Sequence, residues 1–190
     1  MTIFDKKGEP SGKQVYMVSN YQATADGATA SLNTEMFDKN GKSTAKSSNS
    51  IKCSNGIMMM DMKMSMPQAQ AAQAGNTDVK AENVYLEYPS SIHAGDKLKD
   101  GHMEMNIDNK GMQQTIIMDV TDRKVEDNEK ITTTAGTWDC YKITNKTKLK
   151  IKTMGIGIPM NMEVTEWYSP GFGVVKSKTK YGETAITSIK

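Results

Sequence analysis

The chain contains few of the residues on which recognisable sites are usually built. It has a single arginine, Arg123, and two cysteines, and aromatic residues make up only 6% of its 190 residues. Arginine is the residue that binds phosphates and base edges through bidentate hydrogen bonds. With one arginine and a formal net charge of only +2, nucleic-acid binding is disfavoured. No run of about 18 apolar residues is present, which argues against a transmembrane helix.

The sequence also lacks the motifs of catalysis and of cofactor or metal binding. No glycine-rich cofactor loop or catalytic signature occurs, so we expect neither an enzyme nor a bound cofactor. Cys53 and Cys140 lack zinc-site spacing. They form a disulfide if the compartment is oxidising, or they are two buried thiols. The first residues, MTIFDKKGEP, lack the apolar core of a secretory signal, which is typical of a cytosolic protein or of a mature or trimmed chain.

Methionine is the abundant residue, with 16 copies. In residues 57–66, methionines recur at every second position and alternate with Asp61, Lys63 and other residues. Because successive side chains of a β-strand point to opposite faces, this spacing predicts one strand with an even-numbered, buried methionine face. Asp61 and Lys63 are then expected to face solvent.

Two-residue alternation and Asn-Gly or Asp-Gly turns recur along the chain and predict an all-β protein. We expect residues 1–190 to form a single domain, with one antiparallel sheet of roughly ten strands curled into a barrel or half-barrel. Residues 43–52 are predicted to be a weak, edge-like strand, residues 68–75 one short helix, and residues 121–136 a longer connection.

The methionine-bearing strands supply the candidate site, because their apolar faces are expected to meet on one concave surface. Three interpretations remain open for this surface: core packing, an adaptable pocket for a lipid or acyl chain, and thioether ligation of Cu(I). Copper is disfavoured because alternating strand residues form a line, so we expect no metal. The candidate ligand-binding residues are Met58, Met60, Met62, Met64, Met103, Met105, Met160, Met162 and Trp167.

Two longer stretches resemble a known family. Residues 132–143, TTTAGTWDCYKI, and residues 166–175, EWYSPGFGVV, are similar to conserved segments of the DUF3108-like (TapB-like) family of uncharacterised bacterial proteins. Gly95-Asp96 is a third, weaker match. Thr134 and Trp138 stand where that family usually has Pro and Phe. The resemblance implies a secreted or envelope protein, often a lipoprotein, with a curled antiparallel sheet similar to lipoprotein carriers and no known catalytic residue.

These observations together favour a non-enzymatic envelope protein, periplasmic, outer-membrane or extracellular, that binds a lipid or another apolar molecule on its methionine-rich concave face. Membrane association would then depend on an N-terminal anchor missing from this sequence. The alternative is a structural or interaction module whose core is filled and which takes no small ligand.

Overall fold

The computed structural model describes residues 1–66, 84–109, 112–153 and 156–190, and nearly all of them lie in β-strands. One short 3-10 helix, Met62–Ser65, follows the fifth strand. The twelve strands are β1 Thr2–Asp5, β2 Pro10–Thr24, β3 Gly27–Asp38, β4 Ser43–Ser54, β5 Ile57–Asp61, β6 Tyr85–Pro89, β7 Gly101–Asn109, β8 Met112–Thr133, β9 Gly136–Thr153, β10 Ile156–Ser169, β11 Gly173–Thr179 and β12 Gly182–Ala185.

All twelve strands belong to one antiparallel sheet, which confirms the predicted fold class. Strands that are consecutive in sequence are neighbours in the sheet, except β6 and β7, which form its two ends. In addition, β1 pairs with β12 and so joins the two ends of the chain. The sheet order is β6-β5-β4-β3-β2-β1-β12-β11-β10-β9-β8-β7. The strand count exceeds the predicted ten in part because β1 and β12 are only four residues long, too short to show a clear alternation.

The sheet curls until its two end strands, β6 and β7, come together, which makes it a nearly closed barrel. Gly101 at the start of β7 lies so close to Leu86 of β6 that an added Cβ would sit 2.6 Å from the leucine Cδ2. The same Cβ would be 2.8 Å from the sulfur of Met62. A larger residue here would force the ends of the Leu86 and Met62 side chains to move.

The prediction of one strand over residues 57–66 is wrong in its second half. The strand stops at Asp61, whose carboxylate accepts a hydrogen bond from the Lys63 N–H at 3.0 Å and forms an ion pair with Lys63 Nζ at 3.2 Å. A side chain that bonds to the backbone two residues on competes with the sheet ladder and begins a helical turn. Asp61, expected to face solvent, is only 1% exposed as a result.

Residues 121–136 were predicted to be a connection, but β8 runs through almost all of them. Register shifts between Thr121 and Lys124 and between Val125 and Asp127 insert extra residues into this strand. Each shift moves the following side chains to the other face, so the two-residue pattern is lost although the strand continues.

Two further predictions concern the first half of the chain. Residues 43–52 were predicted to be edge-like, yet β4 lies between β3 and β5, although β5 covers only Ile51–Ser54 of it. The predicted helix at residues 68–75 lies outside the described residues.

On the β11 side, the end of the β9–β10 hairpin extends beyond its neighbour, whereas β8 pairs with β9 as far as Thr153. β9 pairs with β10 from Ile156 to Tyr168, whereas β11 pairs with β10 only from Thr165 onward. Residues 156–164 therefore have one open edge in the described structure. Pro159 lies on this stretch, as is common for strands whose N–H groups have no partner strand.

Candidate functional site

Six of the nine candidate residues come together in the barrel interior. Met62, Met103 and Met105 are no more than 1% exposed and belong to the hydrophobic core cluster. Met58, Met60 and Met160 are partly buried and pack against the same cluster. The further methionines of the cluster are Met36, Met66 and Met118. These buried side chains form one hydrophobic cluster.

The other three candidate residues lie outside the core cluster. Met64 is half-buried in the 3-10 helix, and Met162 is half-buried on the inner face of the sheet, opposite Thr147. Trp167 pairs with Lys142 and so shares the outer face of the sheet. Its indole Nε1 donates a hydrogen bond to Glu129 at 2.5 Å, and Lys176 Nζ lies 5.3 Å from the ring centre.

An open apolar surface exists at the end of the β9–β10 hairpin. Cross-strand partners share a face, so Ile158 lies inward beside Ile151, and Ile156 beside Thr153. The isoleucines are nevertheless 77% and 76% exposed. They border a groove of about 380 Å³, here called the hairpin groove. It is lined by Leu149, Ile151, Thr153, Ile156, Ile158 and Met160.

Sequence reasoning missed the hairpin groove because the segment Gly155 to Pro159 resembles a turn, with two glycines and a proline in five residues. The signal that could have found it is the spacing of Ile156 and Ile158, which extends the alternation of Met160 and Met162 without a break.

A buried polar cluster surrounds the only arginine of the chain. Arg123 is 1% exposed, and its Nη1 donates hydrogen bonds to the carbonyl oxygens of Lys99 at 2.8 Å and Glu87 at 3.1 Å. The first carbonyl precedes β7 and the second belongs to β6. Arg123 therefore connects β6 to the segment that leads into β7, and these two end strands of the sheet do not pair with each other.

Tyr88 connects this arginine to a buried acid. The guanidinium lies 4.7 Å from the Tyr88 ring centre, and the Tyr88 hydroxyl donates to Glu166 Oε2 at 3.0 Å. Burial raises the pKa of Glu166, while the positive charge of Arg123 and the bond from Tyr88 act in the opposite direction. Burial, with the nearby Glu166 charge, also raises the pKa of Tyr88. Tyr168 stacks against Tyr88 with ring centres 4.9 Å apart.

The two cysteines are free, with Cys53 exposed and Cys140 buried, so the expectation that they are bonded or both buried is wrong. Burial raises the pKa of Cys140 to about 11. In the described parts of the chain, no three His, Cys, Asp or Glu side chains are grouped as metal ligands. Within those parts, no helix has the length and apolar character needed to span a bilayer.

The chain is similar to known proteins in sequence and in fold. The model of the DUF3108-like family matches residues 1–188. The chain belongs to the DUF3108-like family. The resemblance seen in residues 132–143 and 166–175 is thereby confirmed.

Two solved structures share the fold of this DUF3108-like chain. A Bacteroides fragilis protein, described as exported and as having a YmcC-like fold, has a TM-score of 0.78 at 24% identity, over 100% of this chain and 92% of that chain. A Parabacteroides distasonis protein described as a lipoprotein has a TM-score of 0.75 at 22% identity, over 95% of this chain and 85% of that chain. No curated protein matches. At these identities the similarity establishes the fold and no activity.

Proposed function

We propose that this protein is a non-enzymatic component of the bacterial envelope, periplasmic or attached to the outer membrane, that binds an acyl chain in the hairpin groove. The observation that carries the proposal is the exposure of two inward-facing isoleucines, Ile156 and Ile158, at 76% and 77%. Leaving two such side chains in water forgoes the roughly 1.5–3 kcal/mol that burial of each would provide. A bound hydrocarbon chain would recover that free energy.

The dimensions and chemistry of the groove support an apolar ligand. Its volume of about 380 Å³ falls within the range of roughly 300–1,000 Å³ common for small-molecule sites. Among the described residues, its lining is aliphatic or thioether except for Thr153, and includes no acid, histidine or cysteine. Such a surface binds hydrocarbon and offers no group for acid-base or nucleophilic catalysis.

Two further features support a binding protein in the envelope. The buried Arg123, Tyr88 and Glu166 are all at most 9% exposed, so the strongest polar cluster lies out of reach of a substrate. The similar solved structures are described as an exported protein and a lipoprotein, which supports the compartment.

The second candidate is a structural module without a ligand, and the fully buried methionines of the interior favour it. Met62, Met105 and Met118 have no exposed surface. If the exposed isoleucines are instead covered by another protein, the barrel would act as an interaction module whose core needs only apolar volume.

Titration with a fluorescent fatty acid tests the proposal. The substitution Ile158→Asn places an amide in the groove and should weaken binding about tenfold or more, because it removes most of the burial free energy of one side chain. Ile189→Asn is the matched control, since Ile189 is 59% exposed and does not line the groove. Native mass spectrometry of protein isolated from envelopes should show co-purified lipid. No saturable binding by the wild type, or equal binding by Ile158→Asn, would favour the structural module.

A further inference from the structure

The outer face of the β9–β10 hairpin end is cationic. Lys148, Lys150 and Lys152 alternate along β9 on the side opposite to the groove. Residues 147–162 contain these three lysines and no aspartate or glutamate. The positive charge of this end is thus not balanced within the hairpin.

The three lysines also lack ion partners among the described residues of neighbouring strands. Among the described residues no carboxylate lies within ion-pair distance of any of them, whereas the next lysine of the row, Lys146, pairs with Asp122 at 2.9 Å. Asp119 stands opposite Lys148 in β8, but its carboxylate contacts His102 Nδ1 at 2.6 Å. Outward lysines elsewhere on the protein are often paired, as Lys46 is with Glu35 and Lys99 with Glu87.

The lysine stems lie close to the exposed isoleucines. A Cβ added at Gly157 would be 2.6 Å from Lys150 Cε and 3.0 Å from Lys152 Cγ, so both stems cover the backbone between Ile156 and Ile158. Long lysine side chains bury their methylene groups on apolar surface and extend the ammonium into water. Apolar and cationic groups are thereby combined at one end of the β9–β10 hairpin.

We propose that the β9–β10 end docks on the surface of an anionic lipid bilayer. Ile156 and Ile158 enter the boundary between headgroups and acyl chains, and Lys148, Lys150 and Lys152 contact the anionic headgroups. Exposed aliphatic side chains next to unpaired basic residues are the combination that interfacial membrane binding requires. Nucleic acid would use the lysines and leave the isoleucines in water. The inference goes beyond ligand binding, because the lysines lie on the face opposite to the groove.

Vesicle sedimentation with the full chain tests this inference. The wild type should bind vesicles of equal parts phosphatidylcholine and phosphatidylglycerol at least about tenfold more tightly than vesicles of phosphatidylcholine alone. Added salt should weaken that binding through screening. The triple variant K148Q/K150Q/K152Q should lose at least about tenfold in affinity for the anionic vesicles.

A matched control removes the same charge elsewhere. K6Q/K39Q/K42Q alters three exposed lysines near the turns that follow β1 and β3, and should bind as the wild type does. All variants should melt at the wild-type temperature, because they change only surface charge. Equal binding to neutral and anionic vesicles, an unaffected K148Q/K150Q/K152Q variant, or an equal loss in the control would each overturn the inference.

The fatty-acid titration, run without vesicles, separates the two proposals. K148Q/K150Q/K152Q should retain fatty-acid binding, because none of these lysines lines the groove. Loss of vesicle binding with retained fatty-acid binding in this variant supports docking. Fatty-acid binding by a wild type that ignores anionic vesicles refutes docking and leaves the groove proposal standing. Vesicle binding without fatty-acid binding supports docking and refutes the groove.

Discussion

The interior of the barrel changes from closed to open along a single row of side chains. Met105, Ile116, Ile151 and Ile158 are consecutive cross-strand neighbours on β7, β8, β9 and β10. Met105 and Ile116 have no exposed surface, Ile151 is half-buried, and Ile158 is 77% exposed. Four apolar residues in one cross-strand row thus range from fully buried to largely exposed.

The difference arises from which other elements pack against the inner face of the sheet. At the β7–β8 side, the 3-10 helix and β6 supply Met62 and Leu86, which pack over the start of β7 at Gly101. At the β10 side, residues 156–164 extend past the end of β11. Apolar character therefore indicates which residues face inward, but overlap with other elements decides which become core.

The largest expected effect tests the closed region. Met62→Lys introduces an unpaired ammonium at a position with no exposed surface and should lower the free energy of unfolding by more than about 4 kcal/mol. Met17→Lys is the matched control, because Met17 is 64% exposed, and should change it by less than about 0.5 kcal/mol. Urea unfolding measures both. Equal tolerance of the two substitutions would contradict the closed interior.

The second prediction compares the two regions directly. Leu149→Ala removes a side chain with no exposed surface and should cost about 3 kcal/mol in urea unfolding. Ile158→Ala, on the same sheet face, should cost less than about 0.5 kcal/mol because its side chain is already in water. Similar losses for both would show that Ile158 is covered in solution.

Arg123 tests how the closed side is held together. Arg123→Ala removes two hydrogen bonds between a charged group and the carbonyls of Glu87 and Lys99, with an expected loss of about 2–3 kcal/mol. Lys124→Ala, at the exposed next position, should cost less than about 0.5 kcal/mol. Amide hydrogen exchange should increase in β6 and β7 of the arginine variant; unchanged exchange there would contradict the bridging role.

The buried acid of the closed side should give a smaller, pH-dependent effect. Because burial raises the pKa of Glu166 above its ordinary value of 4.5, the native state holds this proton more strongly than the unfolded chain. The stabilisation of the native state by this bound proton is therefore complete below pH 4.5. It is lost as pH rises through the native pKa, at up to about 1.4 kcal/mol per pH unit. Glu166→Gln should flatten this slope in urea unfolding at several pH values. Identical slopes would contradict the assignment.

The smallest effect concerns thiol reactivity and leaves stability unchanged. A disulfide reagent at neutral pH should modify one thiol, that of exposed Cys53, in the native protein and two after unfolding. Cys140 is protected by burial, which also raises its pKa to about 11. Cys53→Ser should abolish the native reaction. Rapid reaction of both thiols in the native protein would mean that the residues covering Cys140 move aside easily.

Sequence reasoning succeeded where the alternation is unbroken. The strand around Met103 and Met105 was predicted with the correct inward face, and both residues are at most 1% exposed. Sequence reasoning failed where a local feature interrupts the two-residue alternation of side chains. Asp61 ends a strand by bonding to the following backbone, and the bulges near Asp122 hide the continuation of β8. Both effects depend on local hydrogen bonds that periodicity does not record.

The sequence by itself determined an antiparallel all-β chain of the DUF3108-like family with an apolar, methionine-bearing inner face, because side-chain alternation and turn residues are local properties. Only the tertiary structure decided that β1 meets β12, that Arg123 connects β6 to the segment that leads into β7, and that the row ending at Ile158 leaves the core. These features join residues far apart in the chain. Their contacts depend on how the sheet curls, which no short segment specifies.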